Sequence, residues 1–254
     1  MTRTTLLTAL AATASAFVAH AAPDTRCFEM RVYYANEGKL DALHARFRDH
    51  TTKLFEKHGM TNLGYWVPTE NPDRKLVYVL AYPDRAAREA SWKGFLADPD
   101  WKAAAAASEV NGKLVAKIES TFLKATDYSP AIAPSKGDAA RTFELRTYTA
   151  TPGKLANLNA RFRDHTLGLF NKHGMAHIGY WTLEAGQSGA DDTLVYIIAH
   201  ASPEARAKSF DAFRADPAWI AAKEASEKAA GGSLTVKDGV KSVLMTPTDY
   251  SLTR

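Results

Sequence analysis

The feature that most constrains this chain of 254 residues is a long internal repeat. Residues 28–66 and 143–181 align without a gap at an offset of 115, and 25 of the 39 positions are identical. A fixed spacing of this kind is the signature of duplicated structural units, and a period above 100 residues is too long for the unit of a solenoid. The repeat therefore predicts two copies of one whole domain.

The similarity continues beyond residue 181 with two small length changes. Residues 98–101 correspond to 216–219 at an offset of 118, and residues 126–129 correspond to 248–251 at an offset of 122. The stretch between the copies is rich in Ala and Pro with Ser and Gly, as linkers are. We therefore expect a first domain at residues 28–129, a linker at residues 130–142 and a second domain at residues 143–254.

Each copy contains the same order of predicted elements. Residues 28–34 alternate between apolar and polar side chains, as a half-buried strand does. A helix follows, whose apolar face is predicted from a spacing of three and four residues at Leu40, Leu43, Phe47, His50 and Leu54. Residues 60–67 and 76–82 predict two strands, a second helix breaks and restarts at Asp98-Pro99, and residues 118–124 predict the last strand. This order predicts an α+β fold of two tandem ferredoxin-like (βαββαβ) domains.

A ferredoxin-like unit covers only one face of its sheet with helices, which would leave the other face open. An exposed aromatic sheet face is a liability for a soluble protein. The tandem copy offers a partner, so we expect the two sheets to pack face to face. Pairing with a copy from another chain, and hence a homo-oligomer, is the alternative.

Charge and targeting signals narrow the possible partners. The net charge of +4 is spread over basic residues that alternate with acidic ones, unlike the basic stripe of a nucleic-acid binder. Residues 1–21 predict a cleaved signal peptide, with Arg3, an apolar run and Ala19-His20-Ala21 as the cleavage site, and therefore a periplasmic or secreted protein. The apolar run is too short to span a membrane, so no stable membrane insertion is expected. The single Cys27 is interpreted as an incidental thiol, with intermolecular pairing as the alternative.

Several motifs resemble those of the NIPSNAP family. They are Glu29-x-Arg31-x-Tyr33 with its copy at residues 144–148, Phe55-x-x-His58-Gly59, Gly64-Tyr65-Trp66, and Asp98-Pro99-x-Trp101. The resemblance covers nearly all of both copies. It implies the dimeric α/β-barrel superfamily, in which two ferredoxin-like sheets pack face to face around a cavity. That superfamily includes haem-handling enzymes and small monooxygenases, and animal NIPSNAP proteins are known as mitochondrial scaffold or signalling proteins.

The candidate site residues follow from this arrangement. If the apolar face of the first strand packs on the helices, its polar side chains point into the barrel. The full set of ligand-pocket candidates is Glu29, Arg31, Tyr33, His50, His58, Tyr65, Tyr78, Glu144, Arg146, Tyr148, His165, His173, Tyr180 and Tyr196. Arg31 and Arg146 are interpreted either as partners of internal salt bridges or as ligands for a carboxylate or phosphate. The four histidines are either hydrogen-bonded core and helix-end residues or a catalytic base or haem ligand.

Three functions remain open at this point. The first is binding of a small molecule in a pocket between the two sheets, and the second is a haem-dependent or cofactor-independent oxidoreductase using that pocket. The third is an interaction scaffold without a ligand. No cysteine pair or close histidine pair predicts a metal site, and no phosphate-binding glycine loop is present. We therefore predict no metal and no cofactor, with haem as the alternative.

Overall fold

A computed structural model describes residues 24–137 and 140–254. The predicted signal peptide lies outside the described residues. The first repeat contains strands β1 (Cys27–Ala35), β2 (Thr61–Pro68), β3 (Lys75–Tyr82) and β4 (Val115–Ala125), with helices α1 (Leu40–Arg46), α2 (Thr52–Lys57), α3 (Arg85–Ala97) and α4 (Pro99–Ser108). A π-helical turn (Phe47–Thr51) joins α1 to α2.

The second repeat has the same order of elements. Its strands are β5 (Thr142–Ala150), β6 (Ala176–Leu183), β7 (Thr193–His200) and β8 (Thr235–Pro247), and its helices are α5 (Leu155–Arg161), α6 (Leu167–Lys172), α7 (Pro203–Ala215) and α8 (Pro217–Ala229). A second π-helical turn (Phe162–Thr166) joins α5 to α6. The predicted βαββαβ order is therefore present twice. Among the helices described, none is long and apolar enough to cross a membrane.

The two sheets join at their edges and form one closed barrel. The strand order is β1-β3-β2-β8-β5-β7-β6-β4, which closes back on β1. The two seams are short: residues 66–68 pair with residues 245–247, and residues 123–125 pair with residues 181–183. The prediction of two sheets packed face to face was wrong, because edge strands that pair remove their own unpaired backbone groups as well as covering the apolar faces. Both seams lie within one chain.

The barrel interior contains the apolar faces of both sheets. Phe28 and Met30 of β1 and Phe143 of β5 belong to one buried cluster, which also includes Trp66 and Trp181. The prediction that this apolar face packs on the helices was therefore wrong. The apolar face is inside the barrel, and Glu29, Arg31 and Tyr33 lie on the helix side. Both faces of these strands are buried. The alternation of apolar and polar residues therefore identified the two faces but could not show which one points into the barrel. The linker adds Ile132 to the interior.

The π-helical turns change which side of the first helix is buried. Phe47 and Thr51 are buried, whereas His50 is exposed, and the same pattern recurs at residues 162–166. A π turn widens the helix to i→i+5 hydrogen bonds and so shifts the side chains that follow it. The prediction that His50 and His165 lie on the apolar stripe was therefore wrong.

The end of each repeat packs on the helices of the other. Tyr250 lies 6.3 Å from Phe47 between ring centroids, in a stacked arrangement, and its hydroxyl is 2.8 Å from His44 Nδ1. Arg48 forms a bidentate ion pair with Asp249, with distances of 2.6 and 2.9 Å. The equivalent residues 127 and 128 contact the helices of the second repeat in the same way. These contacts lock the two repeats together outside the barrel.

The Gly-Tyr-Trp motif has a packing reason. A Cβ atom added to Gly64 would lie 2.3 Å from the indole ring of Trp66, and one added to Gly179 would lie 2.4 Å from Trp181. Both indoles are almost completely buried in the barrel. The glycines therefore make room for the ring two residues further along the same strand.

Replacing Gly64 with Ala should destabilise the protein by about 1–3 kcal/mol, because a buried indole must move to admit the methyl group. Gly168→Ala is the matched control, since that helical glycine is exposed and a Cβ there meets nothing within 4 Å. The control should leave stability unchanged or raise it by up to about 1 kcal/mol. Urea unfolding followed by circular dichroism measures both, and equal effects of the two substitutions would contradict the packing explanation.

Replacing Tyr250 with Ala should lower the free energy of unfolding by about 2–3 kcal/mol, since a ring packed between the repeats is lost. Asp249→Asn should change stability very little, because its ion pair with Arg48 is exposed to solvent. The same urea titration compares the two. A larger loss from Asp249→Asn than from Tyr250→Ala would show that charge, and not packing, holds this contact.

Candidate functional site

A buried carboxylate organises the helix side of the first sheet. Glu29 is fully buried and accepts hydrogen bonds from the guanidinium groups of Arg31 and Arg88, from Trp92 Nε1 (3.2 Å), from the Tyr82 hydroxyl (3.0 Å) and from Ser120 (2.6 Å). Burial alone would raise the pKa of Glu29. The hydrogen bonds from Arg88 and Ser120 and the charges of the two arginines outweigh burial and lower its pKa to about 2. Glu29 is therefore a fixed negative charge at neutral pH.

A cavity of about 450 Å³ lies above this carboxylate, between the sheet and the helices of the first repeat. Its wall is largely aromatic, with contributions from Tyr33, Phe47, Phe55, Trp92, Phe95 and Trp101. Such a volume and an apolar wall with a few polar groups are typical of small-molecule sites. Of the candidates in the first repeat, Arg31 and Tyr33 line the cavity.

Two buried arginines of this cavity have unused hydrogen-bond donors. Arg31 is 8% exposed and Arg46 is 6% exposed, and the Nε of each has no hydrogen-bond partner. Arg31 lies 4.2 Å from the ring centroid of Trp92, and Arg46 donates from Nη1 to Glu109 at 3.1 Å. A buried donor without an acceptor costs free energy, so the protein gains when an acceptor arrives. Each Nε is itself closed off from the cavity, so an anion would contact these guanidinium groups through their terminal nitrogens, or reach Nε after a shift of the side chain.

The second repeat contains a related cavity of about 480 Å³, and Arg146, which lines it, is engaged. Arg161, the counterpart of Arg46, is also buried with Nε and Nη1 lacking hydrogen-bond partners, but it does not line this cavity. Arg146 donates from Nε to the Tyr196 hydroxyl at 2.8 Å and from Nη2 to the Tyr148 hydroxyl at 3.0 Å, and it also pairs with Glu144. Burial would raise the pKa of Glu144. Hydrogen bonds from His200, Arg206 and Ser242 and the charge of Arg146 hold it well below its usual range. In the first repeat, by contrast, the Tyr78 hydroxyl is buried without a partner.

The predicted pocket between the two sheets is largely filled by side chains. A cavity of about 390 Å³ lies at one end of the barrel. Val32, Val77, Leu145 and Val243 are part of its wall, and none of the candidate site residues is. The main cavities therefore lie outside the barrel, because the polar strand faces are turned toward the helices.

The four candidate histidines do not line either helix-side cavity. His50 and His165 are exposed, and His50 borders a shallow groove beside α4. His58 Nε2 lies 2.6 Å from Asp98 Oδ2, and His173 Nε2 lies 2.8 Å from Asp216 Oδ2. These two pairs join the end of the first helix to the break in the second, which is a structural role.

The candidate tyrosines divide into two groups. Tyr33 and Tyr148 line the two helix-side cavities, and not the predicted pocket between the sheets. The remaining tyrosines are completely buried between sheet and helices and line neither cavity: Tyr65, Tyr78, Tyr180 and Tyr196. Tyr65 stacks on Tyr78, and Tyr180 stacks on Tyr196. These stacked pairs act as packing beneath the first helix.

Sequence reasoning missed several cavity residues. The predicted site includes none of five residues that line the cavity: Arg46, Thr51, Arg88, Trp92 and Trp101. The repeated Arg-Phe-Arg-Asp-His-Thr segment contained a signal for a conserved environment of this arginine, since the Arg46-Phe47 pair recurs in the second copy. The π turn that brings Thr51 to the cavity had no readable signal.

The Cys27 thiol and the possible metal ligands are the remaining chemical features. Cys27 is buried, and burial is the main cause that raises the pKa of its thiol to about 12, which fits an incidental thiol. Within residues 24–137 and 140–254, no group of three or more His, Cys, Asp or Glu side chains could hold a metal ion. Haem stays an untested alternative.

Comparison with solved structures supports the fold. A candidate monooxygenase from Fusobacterium nucleatum is similar with a TM-score of 0.59 and 10% identity, covering 88% of this chain and 92% of that one. A candidate chlorite dismutase is similar with a TM-score of 0.52 and 12% identity, over 89% and 96% of the two chains. At this identity the likeness shows the fold alone.

Family membership rests on the sequence of both repeats. A NIPSNAP domain protein from Burkholderia xenovorans is 25% identical, with a TM-score of 0.36. The match covers 41% of this chain and 98% of that one. No curated protein matches the chain in sequence. The NIPSNAP family profile matches residues 28–130 and 143–252, and thus both copies. The chain therefore belongs to the NIPSNAP family and contains two tandem NIPSNAP domains.

Proposed function

We propose that this protein binds a small organic anion in the helix-side cavity of its first repeat. The observation that carries the proposal is the pair of buried arginines, Arg31 and Arg46, whose Nε donors lack acceptors in an aromatic cavity. A planar guanidinium is well suited to a carboxylate or a similar anion. The aromatic wall would hold the apolar body of the ligand.

The charges around the cavity support an anionic ligand. Glu29 is shared by Arg31 and Arg88, and Glu109 is shared between Arg46 and the backbone of Leu114. Three arginines thus face two carboxylates at the cavity, before Glu89 on the protein surface is counted. Arg88 has Glu89 as a second partner, so Arg31 and Arg46 are the arginines of this set that keep a donor without an acceptor.

The other two functions receive less support from the cavity. A scaffold without a ligand gives no reason for an aromatic cavity that keeps unpaired arginine donors. For an oxidoreductase, the carboxylate that lines the cavity is Glu109, which is engaged by Arg46, and Glu29 stays ionised. A carboxylate engaged by arginine side chains is poorly suited to act as a general base, so binding is the better-supported activity. Residues 1–21 support export, in which case the ligand would be met in the periplasm or outside the cell.

The probe for this site is 8-anilinonaphthalene-1-sulfonate, a flat apolar fluorophore with one permanent negative charge. Arg31→Met should weaken its binding by at least about tenfold, because a charge-assisted hydrogen bond is lost. Arg146→Met is the matched control in the second repeat, where the arginine is already engaged, and it should change the affinity by less than about twofold. Fluorescence titration measures both, with far-ultraviolet circular dichroism to show that each variant is folded.

A second variant guards against a folding defect in Arg31→Met. Arg46→Met removes the other unpaired donor, and its partner Glu109 is partly exposed and remains hydrated. It should also weaken binding of the probe by about tenfold. Wild-type affinity in both folded variants would disprove the proposed site.

Binding of the sulfonate probe should not depend on pH between about 5 and 9. The two arginines stay charged throughout this range, and Glu29, with a pKa of about 2, stays ionised. A histidine-based site would instead lose affinity as the imidazole loses its proton, near pH 6–7. Titration of the probe at five pH values distinguishes these cases, and a loss centred near pH 6.5 would contradict an arginine site.

A further inference from the structure

The mouth of the first cavity has an unusual apolar rim. Leu96 at the end of α3 is 55% exposed, and Ile118 on β4 is 47% exposed, and both line the cavity. Exposed hydrophobic side chains beside a cavity mark a surface that contacts a ligand or partner. Here they continue the aromatic wall outward to the solvent.

Two arginines of the cavity are much more buried than this rim. Arg31 belongs to the sheet, is 8% exposed and pairs with the fully buried Glu29. Arg46 is similarly buried beside Trp101. The two exposed lining residues are therefore apolar, whereas Arg31 and Arg46 are buried and Arg88 and Glu109 are intermediate. A complementary ligand has its charge at one end, which enters first, and an apolar remainder.

We propose that the ligand is an aliphatic carboxylate that binds head first. Its carboxylate contacts Arg31 and Arg46, and its alkyl chain passes along the aromatic wall and leaves the cavity past Leu96 and Ile118. This inference rests on the proposed function and names the ligand class for that same site. Leu96 then acts as a specificity-determining residue, which favours long chains over short ones.

The second repeat provides a natural contrast at this position. Arg214 corresponds to Leu96, lines the second cavity and is exposed, with an ion pair to Asp211. Lys223 corresponds to Ala105 and lines the same rim. An alkyl chain leaving there would have to displace water from charged groups, which costs free energy. The exposed Ile220 also lines the second cavity, but charged Arg214, Lys223 and Glu224 are exposed beside it. A rim whose exposed residues are all apolar is therefore a property of the first cavity.

The experiment is calorimetric titration of the protein with hexanoate, octanoate, decanoate and dodecanoate, each below its micelle concentration. Affinity should rise with chain length, by up to about fourfold for each methylene that is buried. Leu96→Arg, which copies the second repeat, should weaken dodecanoate binding by at least about tenfold and hexanoate binding by less than about twofold. Arg214→Leu, the reciprocal control, should leave the whole series unchanged.

The outcomes separate this inference from the function on which it rests. If the sulfonate probe binds in an Arg31-dependent way but affinity for carboxylates does not rise with chain length, the chain-exit inference is wrong and the anion site stands. The same holds if Leu96→Arg affects all four carboxylates equally. If neither the probe nor any carboxylate binds, both proposals fail.

Discussion

The structure depends on the burial of two apolar sheet faces by closure of one barrel. Each repeat alone would expose the face that includes Phe28 or Phe143, and the two faces together form one interior. Pairing of β2 with β8 and of β4 with β6 closes the barrel and satisfies strand edges at the same time. Outside the barrel, Tyr128 and Tyr250 each pack on the helices of the other repeat and hold the two repeats together. The two aromatic cavities lie on the opposite faces of the sheets, between sheet and helices.

Because the apolar sheet faces lie inside the barrel, the charged residues occupy the opposite sheet faces, which the helices bury. Glu29 and Glu144 are completely buried, and each accepts hydrogen bonds from its own strand, from the neighbouring helix and from the last strand of its repeat. A buried carboxylate is tolerated only when it is paired and hydrogen-bonded, and these are. Because the anchor is rigid, the arginine beside it is held in place. In the first repeat this arginine keeps a free donor, and in the second repeat two tyrosines occupy it.

The sequence predicted much of this architecture, and the errors have physical causes. The repeat and its alternating strands located the elements, the break at Asp98-Pro99 and the two domains. Alternation could not tell which face of β1 was inside, since both faces are buried. A period of 3.6 residues could not reveal the π turns, so His50 was placed on the wrong side of its helix. Trp92 and Trp101 reach the cavity only through the packing of separate helices on the sheet, which a linear pattern does not contain.

The seam between β2 and β8 has a consequence for how the chain reaches its native state. Residues 66–68 pair with residues 245–247, which lie far along the chain, so the first sheet obtains this neighbour only after the second repeat has been synthesised. Contacts so distant in sequence form late and slowly, because a large loop must close first. A chain emerging from the ribosome or from a translocation channel would therefore hold an incomplete first repeat until its last strand is delivered. During that interval the apolar face of its first sheet is exposed, and it can bind chaperones or associate prematurely with other nascent chains.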